Sequence, residues 1–507
     1  MSSTPKHAHD RRQAGTWALL GVLTLLLAGV VLLAASLNGH TRAPGGRTRA
    51  TGPATATVAI ERSRPGPVVP PRFLGLSFEV SDLATISSYA GRGDLTRLLR
   101  SLGPGVIRFG GISADSRTGW TEARDPPPSW AGTTIDPEDF RRLRALAQAS
   151  GWQVLLTVGL AHYNPRTAAL ETAAARSILG PWLLGIEIGN EPDSYARHGF
   201  RTQPWRFERY SAEVSAYRRA IDRLAPGVPL AGPDVSGSKI FTTWGPKEAR
   251  AQRPALVTGH HYPLGCRGRF APSISRLLSP QTRSREQISL ERYMRVARGA
   301  HLPLRIDETN SVSCGGVAGV SDTFAAALWA TSYITSAMAE GVAGVNLEGN
   351  PARCSGYSLL CASTSSRLAS GDLQTQPEWY ALLLARELIG DRPLASRITQ
   401  RAGSNISATA LLGPEGAVKV VVVDDEPPGS GVARASLEVG SGLHRADAVY
   451  LRASSPAALG GTTFGGSTVS ASGSWSGPVD ATALPVRSGE VDVALTPSSA
   501  SLITIRP

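Results

Sequence analysis

Between residues 73 and 390, eight short apolar runs rich in β-branched residues alternate with stretches of helical periodicity. No other feature constrains the fold as strongly. A strand that must be followed by a helix before the next strand builds a parallel sheet with helical crossovers. The runs occupy residues 73–80, 106–111, 153–160, 183–191, 229–236, 256–263, 304–311 and 344–349. Eight such units in series predict an α/β protein of the (β/α)8 TIM-barrel type. An open doubly wound sheet is the alternative, but no GxGxxG turn follows an early strand, which argues against its nucleotide-binding form. The crossovers carry their own punctuation. Asp136 is a good N-cap before Pro137, with Asp139 following and Gly151 ending the pattern, and a second helix from about Ser321 stops at Gly341.

Outside residues 73–390 the pattern changes. Residues 391–507 show short alternating strands with Gly, Ser and Thr turns, which predicts a C-terminal antiparallel β-sandwich domain. Residues 54–72 begin with a further alternating run, ATATVAIER, expected to add a strand to that sandwich. At the other end, residues 17–37 are apolar and uncharged, and follow a basic segment, 1–16, holding Lys6, Arg11 and Arg12. About twenty apolar residues match the hydrocarbon thickness of a bilayer, so this run predicts a transmembrane anchor with its basic end cytoplasmic. A signal sequence cleaved near Ala35 or Ser36 is the alternative. Residues 38–53 form a Gly-, Thr- and Arg-rich linker, and the folded body is expected to be extracytoplasmic, either membrane-anchored or secreted.

The net charge of +12 rests on 52 basic residues, only four of them Lys, dispersed without a cluster. Nucleic acid is therefore not an expected partner. Four cysteines in an exported chain allow two disulfides and three possible pairings. Without a CxxC pair or an HExxH motif, neither a metal nor another cofactor is expected.

Barrel enzymes place their chemistry where the strands end at the C-terminal face. Glu191 closes the fourth run, in GIEIGNEPD, and Glu308 lies near the end of the seventh, in LRIDETNS. Hydrolysis of an acetal needs an acid for the departing oxygen and a carboxylate to meet the developing oxocarbenium ion. Two glutamates from opposite sides of one rim suit that work. Pro192 biases Glu191 away from right-handed helix, and Asn190 offers an amide to a sugar hydroxyl. Arg108, at the end of the second run, is the cation that would keep Glu308 ionised, or else a structural partner of Glu187, which lies deeper in the barrel. Glu79, Asp115 and Tyr262 are further candidate substrate contacts from the same rim. Capping a loop is the alternative for Glu79 and Asp115. Of His260 and His261, His261 is assigned to the cleft, and Asp307, next to Glu308, is expected on the opposite side of its strand.

The motifs GNEPD, HHYP and ETNSVSCGGVAGVSDTFAAALW together resemble glycoside hydrolase family 79, the β-glucuronidase and heparanase-like family within the retaining barrel glycosidases. The resemblance runs from RFLGLSFEV through RFGGISAD to TTFGGSTVSASGSWSGP and so covers most of the chain. It implies Glu191 as acid/base, Glu308 as nucleophile and a carbohydrate substrate. One departure concerns specificity. That family tends to carry a tyrosine shortly after the nucleophile to bind the uronate carboxylate, where this chain has Ser313 and Cys314. Glu348, in NLEGN, brings a further carboxyl toward the cleft, which disfavours an acidic sugar unless it is offset. Cys266 and Cys314 each follow a barrel strand by a few residues, and are expected to brace two active-site loops, leaving Cys354 with Cys361. The expected function is β-glucuronidase-like retaining hydrolysis of extracellular glycans or glycosides. A non-catalytic glycan-binding protein, a transglycosylase and a glycosidase for a neutral sugar are the alternatives.

Overall fold

Each of the eight apolar runs forms a strand, in a computed structural model that describes residues 55–122, 126–268 and 270–507. The barrel strands are, in order, Leu74–Glu79, Val106–Gly110, Gln153–Val158, Leu183–Ile188, Ala231–Val235, Leu256–His261, Leu304–Thr309 and Gly344–Glu348. They pair in parallel in the order four, three, two, one, eight, seven, six, five. Among the described residues, strands four and five meet through a single bridge, Ile186 to Leu230, supported by an Ile186 N–H to Pro229 carbonyl hydrogen bond of 2.9 Å. The barrel is thus nearly closed. Most strand residues are buried, because one face meets the barrel interior and the other meets helices. That is why the runs read as continuous apolar segments.

The interior is polar as well as apolar. Val106, Leu155 and Ala231 form a small apolar cluster, while Arg305 donates from Nη1 to Asn346 Oδ1 at 2.7 Å. Gly344 makes room for that arginine, since a Cβ there would stand 2.2 Å from its guanidinium. Around the barrel, Asp136 caps the helix Pro137–Ser150 through a reciprocal box with Asp139, and Gly151 ends it at φ 82°. The helix Phe324–Glu340 has no polar face, and nearly all of it is buried. Its Ser332 and Thr335 hydroxyls lie 3.4 Å from those of Ser407 and Thr409, so it is sandwiched between the barrel and the C-terminal body.

That C-terminal body is an eleven-stranded sheet whose two halves share one core, containing Val418, Val420, Val422, Ala435, Val493 and Ile503. Val421 and Val423, which alternate with these along Val418–Asp424, belong instead to the barrel-side core. The strand Ala56–Glu61 lies within this sheet, antiparallel to Arg392–Gln400 and parallel to Ala433–Glu438. The apolar run at 17–37 lies outside the described residues. Among the described residues, no helix is long and apolar enough to cross a membrane.

Candidate active site

Arg108 is fully buried at the centre of the barrel mouth and organises everything around it. Its Nε donates to Glu187 Oε2 at 2.9 Å, and its Nη1 donates to Glu308 Oε2 at 2.8 Å and Ser77 Oγ at 3.2 Å. Its Nη2 donates to Asn190 Oδ1 at 2.9 Å and to both oxygens of Asp234, at 3.1 and 3.0 Å. Arg108 thus contacts Glu187 and Glu308 at once. Gly110 permits the arrangement, because a Cβ there would stand 2.4 Å from the guanidinium carbon.

Strand four ends at Ile188, so Glu191 stands just beyond it rather than closing it. Glu191 adopts left-handed backbone, φ 45° and ψ 52°, with its N–H on the Asp234 carbonyl at 2.9 Å. A non-glycine residue held there costs about 1–2 kcal/mol, so the loop is over-determined by its surroundings. Its side chain is 24% exposed, against 11% for Glu308. Glu191 is thus the more accessible of the two.

Glu308 accepts a hydrogen bond from Tyr262 Oη at 2.9 Å on the oxygen that Arg108 leaves free. The expectation for its neighbour needs correction. Strand seven shifts register against strand six between Arg305 and Glu308, and against strand eight between Ile306 and Thr309. The shift breaks the alternation of faces, so Asp307 also points inward, with Oδ2 3.2 Å from Arg108 Nε. Burial first, and then repulsion from Glu187 and Asp234, push the Asp307 carboxyl well above the usual carboxylate range. Burial acts the same way on Asp234, but Arg108 and His260 outweigh it and hold that carboxyl below its usual value. Asp307 is therefore the protonated member of the pair and Asp234 the ionised one.

The histidine assignment is also reversed. His260, not His261, faces the cleft: its Nδ1 lies 3.1 Å from Glu191 Oε1 and 3.5 Å from Glu308 Oε1, and its Nε2 2.6 Å from Asp234 Oδ1. Burial alone would lower its pKa, yet Glu308 and Asp234 raise it well above the ordinary imidazole value. These carboxyls favour the charged form of the ring, whose Nδ1 faces Glu191 and whose Nε2 faces Asp234. His261 points outward, stacked on Tyr333 at 5.0 Å and with Nδ1 3.2 Å from Ser289 Oγ.

Asp115 lies in the loop-capping geometry, not the sugar-binding one. Its Oδ1 accepts from the Leu160 and Ala161 N–H groups at 2.8 and 2.9 Å, and its Oδ2 from the Asn190 N–H at 2.8 Å and Tyr195 Oη at 2.6 Å. No acceptor site is left for a ligand. Glu79 Oε2 accepts from the Ser113 N–H at 2.8 Å. Burial raises the pKa of both Glu79 and Glu348, with Glu308 adding to the rise in each. Both shifts reduce the negative charge that these two carboxyls bring to the cleft.

Cys266 and Cys314 form one disulfide and Cys354 and Cys361 the other. The first ties the loops after strands six and seven, reinforced by the Ser313 N–H to Leu264 carbonyl bond at 3.0 Å. Tyr357, from the loop after strand eight, stacks near Tyr262 with ring centroids 6.0 Å apart. Sequence reasoning missed Asp234, His260, Asp307 and Tyr357. Only Asp234 and His260 carried a signal, their position at strand ends.

A carboxylate oxygen of Glu191 and one of Glu308 lie within 4.8 Å of one another, with His260 between them. By residue type this trio could ligate a metal, but the fixed Arg108 guanidinium already supplies the positive charge at Glu308. What the pair can do is act on the two sides of one acetal bond.

No protein-family model and no curated protein matches the sequence. Solved structures do. A 4-O-α-L-rhamnosyl-β-D-glucuronidase from Fusarium oxysporum superposes with TM-score 0.69 at 18% identity, covering 88% of this chain and 100% of that one. The GH51 arabinofuranosidase from Xanthomonas axonopodis pv. citri gives 0.64 at 15% identity, over 90% and 100% of the two chains. A GH30 xylanase C catalytic domain from Talaromyces cellulolyticus gives 0.53 at 12% identity, over 89% and 100%. The fold is that of barrel glycoside hydrolases. At these identities the likeness speaks for the fold alone.

Proposed function

We propose that this chain is a retaining glycoside hydrolase in which Glu308 is the nucleophile and Glu191 the acid/base. The observation that carries the reading is the spacing of those two carboxyl groups, within 4.8 Å oxygen to oxygen. Retaining enzymes hold their pair about 5–5.5 Å apart, whereas inverting enzymes need about 6.5–9.5 Å to admit a water. Glu308, oriented by Arg108 and Tyr262, attacks the anomeric carbon as Glu191 passes its proton to the departing glycosidic oxygen. A glycosyl ester forms and the alcohol leaves. Glu191 then takes a proton from water, whose oxygen attacks the same carbon and releases Glu308. His260 steadies Glu191 from the buried side throughout.

The substrate class proposed is a β-glucuronide, following the family 79 resemblance. Two features support it. The raised pKa values of Glu79 and Glu348 weaken the repulsion that an acidic sugar would otherwise meet. Tyr357 brings a phenol to the cleft from the loop after strand eight, in place of the tyrosine missing after Glu308. The two disulfides favour an extracytoplasmic setting.

The test is a panel of nitrophenyl glucuronide, glucoside, galactoside, xyloside and arabinoside. The glucuronide is expected to turn over, with activity collapsing in Glu308→Ala and Glu191→Gln. Absence of turnover on every sugar would overturn the hydrolase reading, and preference for a neutral glycoside would overturn the substrate class alone.

A further inference from the structure

A second cavity, of about 360 Å³, opens beside the loops that follow barrel strands two and three, and its lining includes Thr118, Trp120, Trp130, His162, Tyr163 and Glu171. We propose that this cavity is a carbohydrate subsite for a neutral pyranose ring, separate from the two catalytic carboxylates.

Aromatic surface is the first reason. Trp130 is 37% exposed and Tyr163 50% exposed, so two aromatic rings of one cavity meet solvent. Trp130 is stacked on the His162 ring at 3.7 Å with the planes 9° apart. A solvent-facing aromatic ring is a platform for the C–H face of a sugar.

Unmatched polar groups are the second. Thr118 Oγ1 and Trp120 Nε1 are buried without a hydrogen-bond partner among the described residues. The Glu171 side chain belongs to a residue only 7% exposed, and no described residue bonds or pairs with its carboxyl. Buried polar groups are normally satisfied, so these two, with the Glu171 carboxyl on the same cavity, indicate a partner with several hydroxyls. A cavity of this size falls within the range of ligand sites, about 300–1,000 Å³.

Charge decides the class of sugar. Among the described residues, no Lys or Arg lines the cavity. Burial lowers the His162 pKa, leaving the ring neutral, and burial lifts Glu171 to about 8, leaving a protonated carboxyl that can donate. None of the described lining residues carries a positive charge to compensate a uronate, a sulfate or a phosphate. The place in the fold suggests how the subsite serves catalysis. Asp115 holds the Leu160 and Ala161 N–H groups on one side and the Asn190 N–H on the other, so one carboxylate anchors both the cavity wall and the loop of Glu191.

The experiment is a calorimetric titration of the full chain carrying Glu308→Ala, with cellobiose and xylobiose as neutral probes and glucuronic acid as the anionic control. It is repeated with Trp130→Ala or Tyr163→Ala added, both at exposed positions that the fold tolerates. A neutral disaccharide is expected to bind saturably, and each added substitution to weaken it roughly three- to tenfold, the range of one aromatic contact. Binding of glucuronic acid is expected to be indifferent to both. Absence of binding by either disaccharide overturns the proposal, as does binding that both substitutions leave unchanged. The readout is binding in an inactive variant, so its failure is distinct from failure of the hydrolase reading, which is measured by turnover.

Discussion

Replacing Arg108 by Lys tests the centre of the site while conserving charge. The guanidinium serves Glu187 from Nε, Glu308 and Ser77 from Nη1, and Asn190 and Asp234 from Nη2. An ammonium offers three donors from a single point and cannot span that fan. At least two charge-assisted bonds are lost, at about 1.5–3 kcal/mol each. Leaving a buried carboxylate without its partner costs about 3–5 kcal/mol, which is the same loss seen from the other side. Activity should fall further than stability, because Glu308 loses its orienting contact; removal of one preorganised electrostatic contact typically lowers kcat by about 10²–10³. The assay is kcat and KM on the best aryl glycoside, alongside thermal unfolding. The expected result is a collapsed kcat with KM little changed. Glu187→Gln is the comparator: it removes the negative charge facing Nε and leaves the bond to Glu308, so it should destabilise the chain more than it slows it. An Arg108→Lys enzyme that melts and turns over like wild type would refute the reasoning.

Three other outcomes follow from the geometry. Asp115→Asn places an amide N–H₂ among four donors, so it should cost roughly 1–3 kcal/mol in unfolding measurements and lower kcat by loosening the Asn190–Glu191 loop. Glu171, Glu248 and Glu378 each sit at about 8 when folded against 4.5 when unfolded. Between those values the folded chain keeps protons that the unfolded chain has released, so stability should fall as pH rises from about 4.5 to about 8. Melting curves of Glu248→Gln across that window should be flatter than wild type; a wild-type slope would sink the assignment. Reducing Cys266–Cys314, which closes a loop of 48 residues, should cost about 4 kcal/mol by chain entropy and slow turnover, read by melting and activity with and without reductant.

The barrel was legible because each strand is buried on both faces and so appears as a bounded apolar run between helical stretches. Glu191 and Glu308 were legible for a related reason: a charged residue where such a run ends needs a purpose. What stayed hidden depends on register. Which of His260 and His261 looks inward is a matter of one residue's phase, and the adjacent pair carries no mark of it. The inward turn of Asp307 arises from a strand irregularity between Arg305 and Thr309, which no residue type announces. Asp234 sits at left-handed backbone, φ 54°, in a strand whose pairing slips between Pro233 and Val235. Tyr357 reaches the cleft from a loop that only the closed barrel brings near.

The strand Ala56–Glu61 has a consequence for biosynthesis. It leaves the ribosome early, yet its neighbours in the sheet, Arg392–Gln400 and Ala433–Glu438, are made near the end; Arg62 finds its Val439 acceptor 377 positions away. Until then the nascent chain carries a bare β-edge, a template for wrong pairing. Whatever escorts this polypeptide during translation must shield that edge, and a prematurely terminated copy should aggregate rather than accumulate as an isolated barrel.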